Sequence, residues 1–246
     1  MAVVVIAILI GLSLGLFGSG GSILTVPALI YVLHYPPAVA IHMSLAVVSL
    51  ISLMAALPYW WRGVVPVREL LQLALPGAVG AVIGSYLTDW LASWVQLTLL
   101  ASLMALAALN MWRRQVVQLQ LSHRYMFSLV GGVVGMLTGL IGVGGGFLLV
   151  PVLVALTSLE MSAIIGISLS LVFLQSVVGF ISHSLLLPQP LDVRTVAWLG
   201  GCGAVGSFVG LWLLPKLPQL LLRRGFAVFL MVLALLIALM QWWQPQ

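Results

Sequence analysis

Charge is what this sequence has least of: Asp, Glu, Lys and Arg together make up 5% of its 246 residues, and only four of them are acidic. Soluble domains carry about 25% charged residues, so the shortage excludes a water-facing surface of ordinary composition. Cysteine occurs once, at Cys202, which rules out a disulfide framework and any multi-cysteine metal cluster. Between Gly201 and Gly203 it reads as a small packing residue. The carboxylates Glu69, Asp89, Glu160 and Asp192 all fall at the ends of apolar stretches, which leaves no acid for a proton relay at mid-membrane. The opening MAVVVIAILIGLSLG has no basic leader and no small-residue cleavage site. It is expected to be a retained first span, not a removed signal peptide.

What the sequence does have is apolar side chains, at 63%, and 25 glycines, with a mean hydropathy of +1.27. This composition predicts an integral membrane protein whose constant partner is the lipid bilayer. The net charge of +5 raises the question of nucleic acid, but the nine basic residues are scattered at the ends of apolar runs and form no patch with interleaved aromatics. They are read as topology signals, and no nucleic-acid partner is expected. Apolar stretches lie near 2–17, 22–34, 37–60, 69–88, 91–112, 125–142, 147–157, 160–184, 193–214 and 219–241, five in each half. A full span needs about 20 residues. The third, fourth and fifth stretch of each half reach that length, whereas the second is too short and is expected to be a half-helix.

The two halves resemble each other. GLFGSGGSILTVP (15–27) returns 124 positions later, Pro27 to Pro151, as GLIGVGGGFLLVP (139–151), with eight of thirteen positions identical. HMSLAVVSLISL (42–53) matches GISLSLVFLQSV (166–177) at the same offset, pairing Ser44 with Ser168 and Ser52 with Ser176. Further on, Gly80 to Gly84 matches Gly206 to Gly210 at an offset of 126. The expected organisation is a first transmembrane repeat at 1–112, a cytoplasmic linker at 113–124 and a second repeat at 125–246.

Positive charges choose between parallel and inverted repeats. With five crossings per half, Arg62, Arg68, Arg113, Arg114, Arg124, Lys216, Arg223 and Arg224 are cytoplasmic and Arg194 alone is outside. Four crossings per half would divide them six to three. The expected fold is therefore an all-α multi-pass membrane protein made of two inverted five-segment repeats, each with a glycine-broken discontinuous helix pair and with both termini extracytoplasmic.

A chain leaves helical geometry at membrane depth only where protein or a water-filled cavity satisfies the freed backbone groups. Gly18, Gly20 and Gly21, and in the second copy Gly142, Gly144, Gly145 and Gly146, permit such breaks because glycine accepts positive φ. Each break opens a short helix whose first N–H groups and dipole attract an anion without a basic side chain. Pro27 and Pro151 remove one backbone bond from each short helix and are read as structural parts of the break. Paired breaks at corresponding places in inverted repeats mark the substrate site of a secondary transporter. The competing reading is plain helix packing, and it is preferred for GAVGAVIG (77–84) and GCGAVGSFVG (201–210).

The breaks are what bring a family to mind. Gly142-Val-Gly-Gly-Gly-Phe-Leu-Leu-Val-Pro151, its first-half copy ending at Pro27, and IIGISLSLVFLQSVVG (164–179) resemble the signature of the sulfite exporter TauE/SafE family. The resemblance covers nearly the whole chain. It implies a bacterial inner-membrane permease that moves small sulfur-containing anions such as sulfite or organosulfonates, usually outward. His42-Met43-Ser44 departs from the Gly-Thr-Ser-like sequence the family shows there, and Cys202 does not match the several cysteines of members that handle thiosulfate.

The candidate substrate-binding residues are Gly20, Gly21, Ser22, Thr25, Ser44, Gly144, Gly145, Gly146, Ser168 and Gln175. Ser44, Val48 and Ser52 share a helical face, as do Ser168, Val172 and Ser176. Of the four histidines, His34 and His123 are placed in loops, whereas His42 and His183 are placed within spans and are the proton-coupling candidates, set against simple hydrogen bonding between helices. Trp60, Trp61, Trp94, Trp112, Trp242 and Trp243 lie near span ends as interfacial anchors. No metal site and no cofactor are expected. The alternative from another class is an intramembrane serine hydrolase using Ser19 or Ser22 with His42 or His183. The second copy argues against it, having Val143 and Gly146 where the first has Ser19 and Ser22. A purely structural or partner-binding membrane protein finds no sizeable soluble domain or amphipathic tail to support it.

Overall fold

The computed structural model describes residues 2–18, 21–88, 93–112, 124–141, 149–150, 152–154, 157, 159–186 and 191–243. Among them the regular structure is helical throughout. The helices are α1 (Ala2–Phe17), α2 (Gly21–Pro27), a π-helical turn (Ala28–Val32), α3 (Pro37–Trp61), α4 (Val67–Thr88), α5 (Ser93–Trp112), α6 (Arg124–Ile141), α7 (Met161–Leu186), α8 (Val193–Leu213) and α9 (Gln219–Trp243). Such a chain has few alternatives, because a helix satisfies its own N–H and C=O groups where lipid offers them nothing. Among the described residues, five helices are long and apolar enough to cross a membrane: Val39–Trp61, Val67–Gly84, Met161–Ile181, Val193–Leu213 and Leu220–Leu239. Their outward residues include Leu75, Val79, Trp198 and Leu239, all exposed and apolar. This is a multi-pass membrane protein.

The chain forms two compact units, and each takes elements from both halves of the sequence. One comprises Met1–Leu70 with Ser162–Lys216, the other Leu71–Met161 with Leu217–Gln246.

In the first unit, α1 crosses α8 with backbone against backbone. A Cβ on Gly11 would overlap the carbonyl of Gly203, one on Gly15 the carbonyl of Ser207, and one on Gly206 the carbonyl of Ile8. Helix α3 closes the other side of α8, with Leu50 against Gly200 and Ile51 against Gly203. The N-terminus of α8 is capped by Asp192, whose Oδ1 accepts from the N–H groups of Arg194 (3.1 Å) and Thr195 (3.2 Å). Its Oδ2 accepts from the hydroxyls of Thr195 (2.7 Å) and Tyr35 (2.8 Å). Tyr35 thereby ties the loop before α3 to the start of α8. The Thr195 hydroxyl bond, followed by that of Tyr35, holds the exposed Asp192 carboxyl down at about 2.

In the second unit, α4 and α6 meet in the same way. A Cβ on Gly135 would overlap the backbone of Gly77, one on Gly80 the carbonyl of Gly132, and one on Gly131 would lie 2.6 Å from the carbonyl of Leu73. Packing is thus the role of the small-residue blocks at 77–84 and 201–210. The two crossings also correspond: Gly11 and Gly135 are 124 apart, and Gly77 and Gly203 are 126 apart, the offsets that relate the halves. Helix α5 packs on α9, where the Arg224 guanidinium lies 5.8 Å from the centre of the Trp112 ring.

Two outcomes are expected. Gly11→Leu and Gly135→Leu should each force a backbone crossing apart and lower thermal stability in detergent by an overpacking penalty of about 1–3 kcal/mol or more, while Gly201→Ala, with nothing within 4 Å of its Cβ position, should leave it unchanged. Because the Asp192 carboxyl titrates below the ordinary value of about 3.9, its cap stabilises the protein above that pH and is lost as pH falls toward about 2. Melting curves should show Asp192→Ala less stable than wild type at neutral pH, with the gap closing across that acid interval.

Candidate functional site

Helix α1 ends at the first glycine block. Gly18 takes φ of +74° and ends α1, its N–H donating to Leu14 O at 2.8 Å. A new helix, α2, starts at Gly21 and runs seven residues to Pro27. Proline has no N–H to give the preceding turn, and past it the helix widens into the π turn, with the Leu33 N–H reaching back to Ala28 O at 3.3 Å. Such turns are rare and concentrate at functional sites. The stretch ends at His34, with φ of +56°. Ser19 and Gly20 lie outside the described residues, as do Gly144, Gly145, Gly146 and Pro151 of the second block.

Helices α3 and α7, which carry the two serine stripes, pack antiparallel. Near the start of α3, the His42 ring stacks on Phe180, with centroids 4.7 Å apart and planes at 23°. A Cβ on Gly179 would lie 3.3 Å from Leu45. At the far end of α3, Trp60 donates its indole N–H to Ser170 Oγ at 2.9 Å, and a Cβ on Gly166 would lie 3.2 Å from Tyr59 Cβ. The glycine break touches the same end of α7: a Cβ on Gly18 would be 3.3 Å from Ile165 Cα. Ser168, one turn beyond Ile165, shares its face. The structure thus brings the Gly18 break, the Ile165–Ser168 turn of α7 and the end of α3 together.

The polar groups here are neutral or buried histidine, and no Asp, Glu, Lys or Arg is buried among the described residues. Thr25, Ser52 and Ser168 are wholly inaccessible, and His42, Ser44 and Ser176 are nearly so. Two of the stripe hydroxyls bond inward to their own helix, Ser44 Oγ to Ile41 O at 2.8 Å and Ser52 Oγ to Val48 O at 2.6 Å. Their protons are directed away from any ligand in this arrangement. Gln175 Oε1 is buried without a hydrogen-bond partner among the described residues, and a half-turn of the amide would present N–H donors at that place. Gly21 and Ser22 form the first turn of α2, and His183 lies in the last turn of α7. Among the described residues, no group of three His, Cys, Asp or Glu could hold a metal.

Two features escaped the sequence reading. Trp60, assigned only an interfacial role, also locks α3 to α7 through Ser170. Tyr59 was not singled out, yet its hydroxyl is buried without a hydrogen-bond partner among the described residues. Its spacing from Ser52 gave the signal, seven residues being about two helical turns on the same face.

Comparison with known proteins gives a consistent result. The family model described as sulfite exporter TauE/SafE matches residues 3–239. A protein of Xylella fastidiosa (strain Temecula1), named "Probable membrane transporter protein", is 31% identical over 246 residues, covering 95% of this chain and 93% of the relative. "Probable membrane transporter protein YunE" of Bacillus subtilis (strain 168) is 27% identical over 233 residues, covering 80% of this chain and 85% of the relative. No solved structure matches the chain. With apolar helices long enough to cross a bilayer and a family match over almost its whole length, the chain belongs to the TauE/SafE sulfite exporter family of membrane transporters.

Proposed function

We propose that the protein is a secondary exporter of small sulfur-containing anions, sulfite or organosulfonates, in the bacterial inner membrane. The observation that carries this reading is the helix break at Gly18, set against the turn of α7 that bears Ser168. The repeated block predicts a second break at Gly144, Gly145 and Gly146, so that two short helices present backbone N–H groups to one anion. Gly20, Gly21, Ser22, Thr25, Ser44, Ser168 and Gln175 complete the shell from the first repeat and from α3 and α7. Pro27 and Pro151 free a carbonyl in each short helix and keep the breaks open. The absence of buried Lys or Arg among the described residues supports weak binding and quick release.

Inverted repeats supply the two arrangements that alternating access needs, as one repeat rocks against the other. The matched glycine crossings in the two compact units support that duplication. His42 and His183 are the groups for proton coupling, since imidazole titrates in the physiological range. His42 is buried against Phe180, inside the α3–α7 pair that carries the serine stripes.

Proteoliposomes loaded with sulfite, sulfate or taurine, with and without a pH gradient, test this reading. Sulfite release is expected from the wild type and is expected to vanish in Gly145→Leu. Ser168→Ala should raise KM about 3- to 10-fold, the value of one hydrogen bond. Release of none of the three anions, or wild-type flux in both variants, would refute it.

A further inference from the structure

The stripe of α3 that holds Ser44, Val48 and Ser52 does not stop at Ser52. At about 100° per residue, Ala55 and Tyr59 fall within the same arc of about 80°. All five residues are buried, Tyr59 being 4% exposed. Ser44 and Ser52 turn their hydroxyl protons onto carbonyls of their own helix. Tyr59 cannot do this, because a rigid ring carries its hydroxyl away from the backbone. Its Oη is enclosed and has no hydrogen-bond partner among the described residues, a costly state that phenylalanine would avoid.

Three further observations give that hydroxyl a setting. Its backbone is fixed by the close of α3, where the Val64 N–H donates to Tyr59 O at 3.1 Å, the Gly63 N–H donates to Trp60 O at 3.0 Å, and Gly63 has φ of +63°. Consecutive residues of α7 touch both partners, Ile165 lying against Gly18 and Gly166 against the Tyr59 ring. In the sequence, Tyr59 and His183 are separated by the same 124 positions that separate Ser44 from Ser168. Each half thus ends its serine stripe with a ring able to form hydrogen bonds.

We propose that Tyr59 is a substrate-contacting residue, its phenolic O–H donating a hydrogen bond to an oxygen of the transported anion beside the first glycine break. The assignment rests on the transporter reading above. A neutral donor suits this place, because a bond to an anionic oxygen is about twice as strong as a neutral one and carries no charge that must itself be buried.

The test is Tyr59→Phe, which keeps the ring over Gly166 and removes only the hydroxyl, beside Ser52→Ala as a control. KM and maximal flux are measured in proteoliposomes, and thermal stabilisation of the purified protein is measured with sulfite, sulfate and taurine. Tyr59→Phe is expected to melt no lower than wild type without anion, to raise KM for the transported anion about 10-fold with a smaller change in maximal flux, and to lose the stabilisation by that anion. Ser52→Ala should behave as wild type in KM. Equal KM and equal anion stabilisation in wild type and Tyr59→Phe would overturn the role of Tyr59 and leave the transporter reading intact. A wild type that neither moves nor is stabilised by any of the three anions would overturn both. A Tyr59→Phe protein that unfolds, or melts several degrees lower without anion, would show that the hydroxyl serves the fold and would also overturn the assignment.

Discussion

Everything in this structure depends on the requirement that backbone N–H and C=O groups find partners where water is absent. Continuous helices meet it at no further expense, and with so few charged residues the sequence offers no surface that would favour another solution. Against that background, the interruption between α1 and α2 is the costly feature. It combines a left-handed glycine, a seven-residue helix and a π turn whose widening follows a proline. A chain built only to cross a bilayer has no use for any of the three.

Hydrophobicity cannot hold such helices to one another, since lipid is as apolar as leucine. Close backbone contact takes its place. Gly11 against Gly203 and Gly135 against Gly77 are contacts that even alanine would disturb, and they recur at the spacing that relates the two halves. Among the described residues, polar ties include Asp192 with Tyr35 and Thr195 at the start of α8, and Trp60 with Ser170 where α3 meets α7. Between the ends of α3 and α7, the buried polar side chains are small hydroxyls and His42.

The candidate site could be read from the sequence where its signal was local. The glycine block announced a break because few residues besides glycine accept the φ of Gly18, and the offset between the halves singled out Ser44 and Ser168 as equivalent. Hydroxyl direction was not legible. Whether Ser44 offers its proton to a ligand or to Ile41 O is set by a rotamer choice among neighbours. Tyr59 was not legible either, since its sequence position beside two tryptophans at a span end does not show its enclosure by the end of α3 and the start of α7.

The sequence by itself determined that the chain lives in a membrane and that its halves share a repeated glycine-rich sequence, because composition and repetition are read along the chain itself. The tertiary structure alone decided that the compact units mix the two halves, which helices the small-residue blocks bring together, and which buried hydroxyl has no hydrogen-bond partner among the described residues. Those outcomes depend on contacts between residues far apart in the sequence, as Gly11 and Gly203 or Trp60 and Ser170 are. Periodicity within one helix shows which face is turned inward, and only packing shows what that face meets.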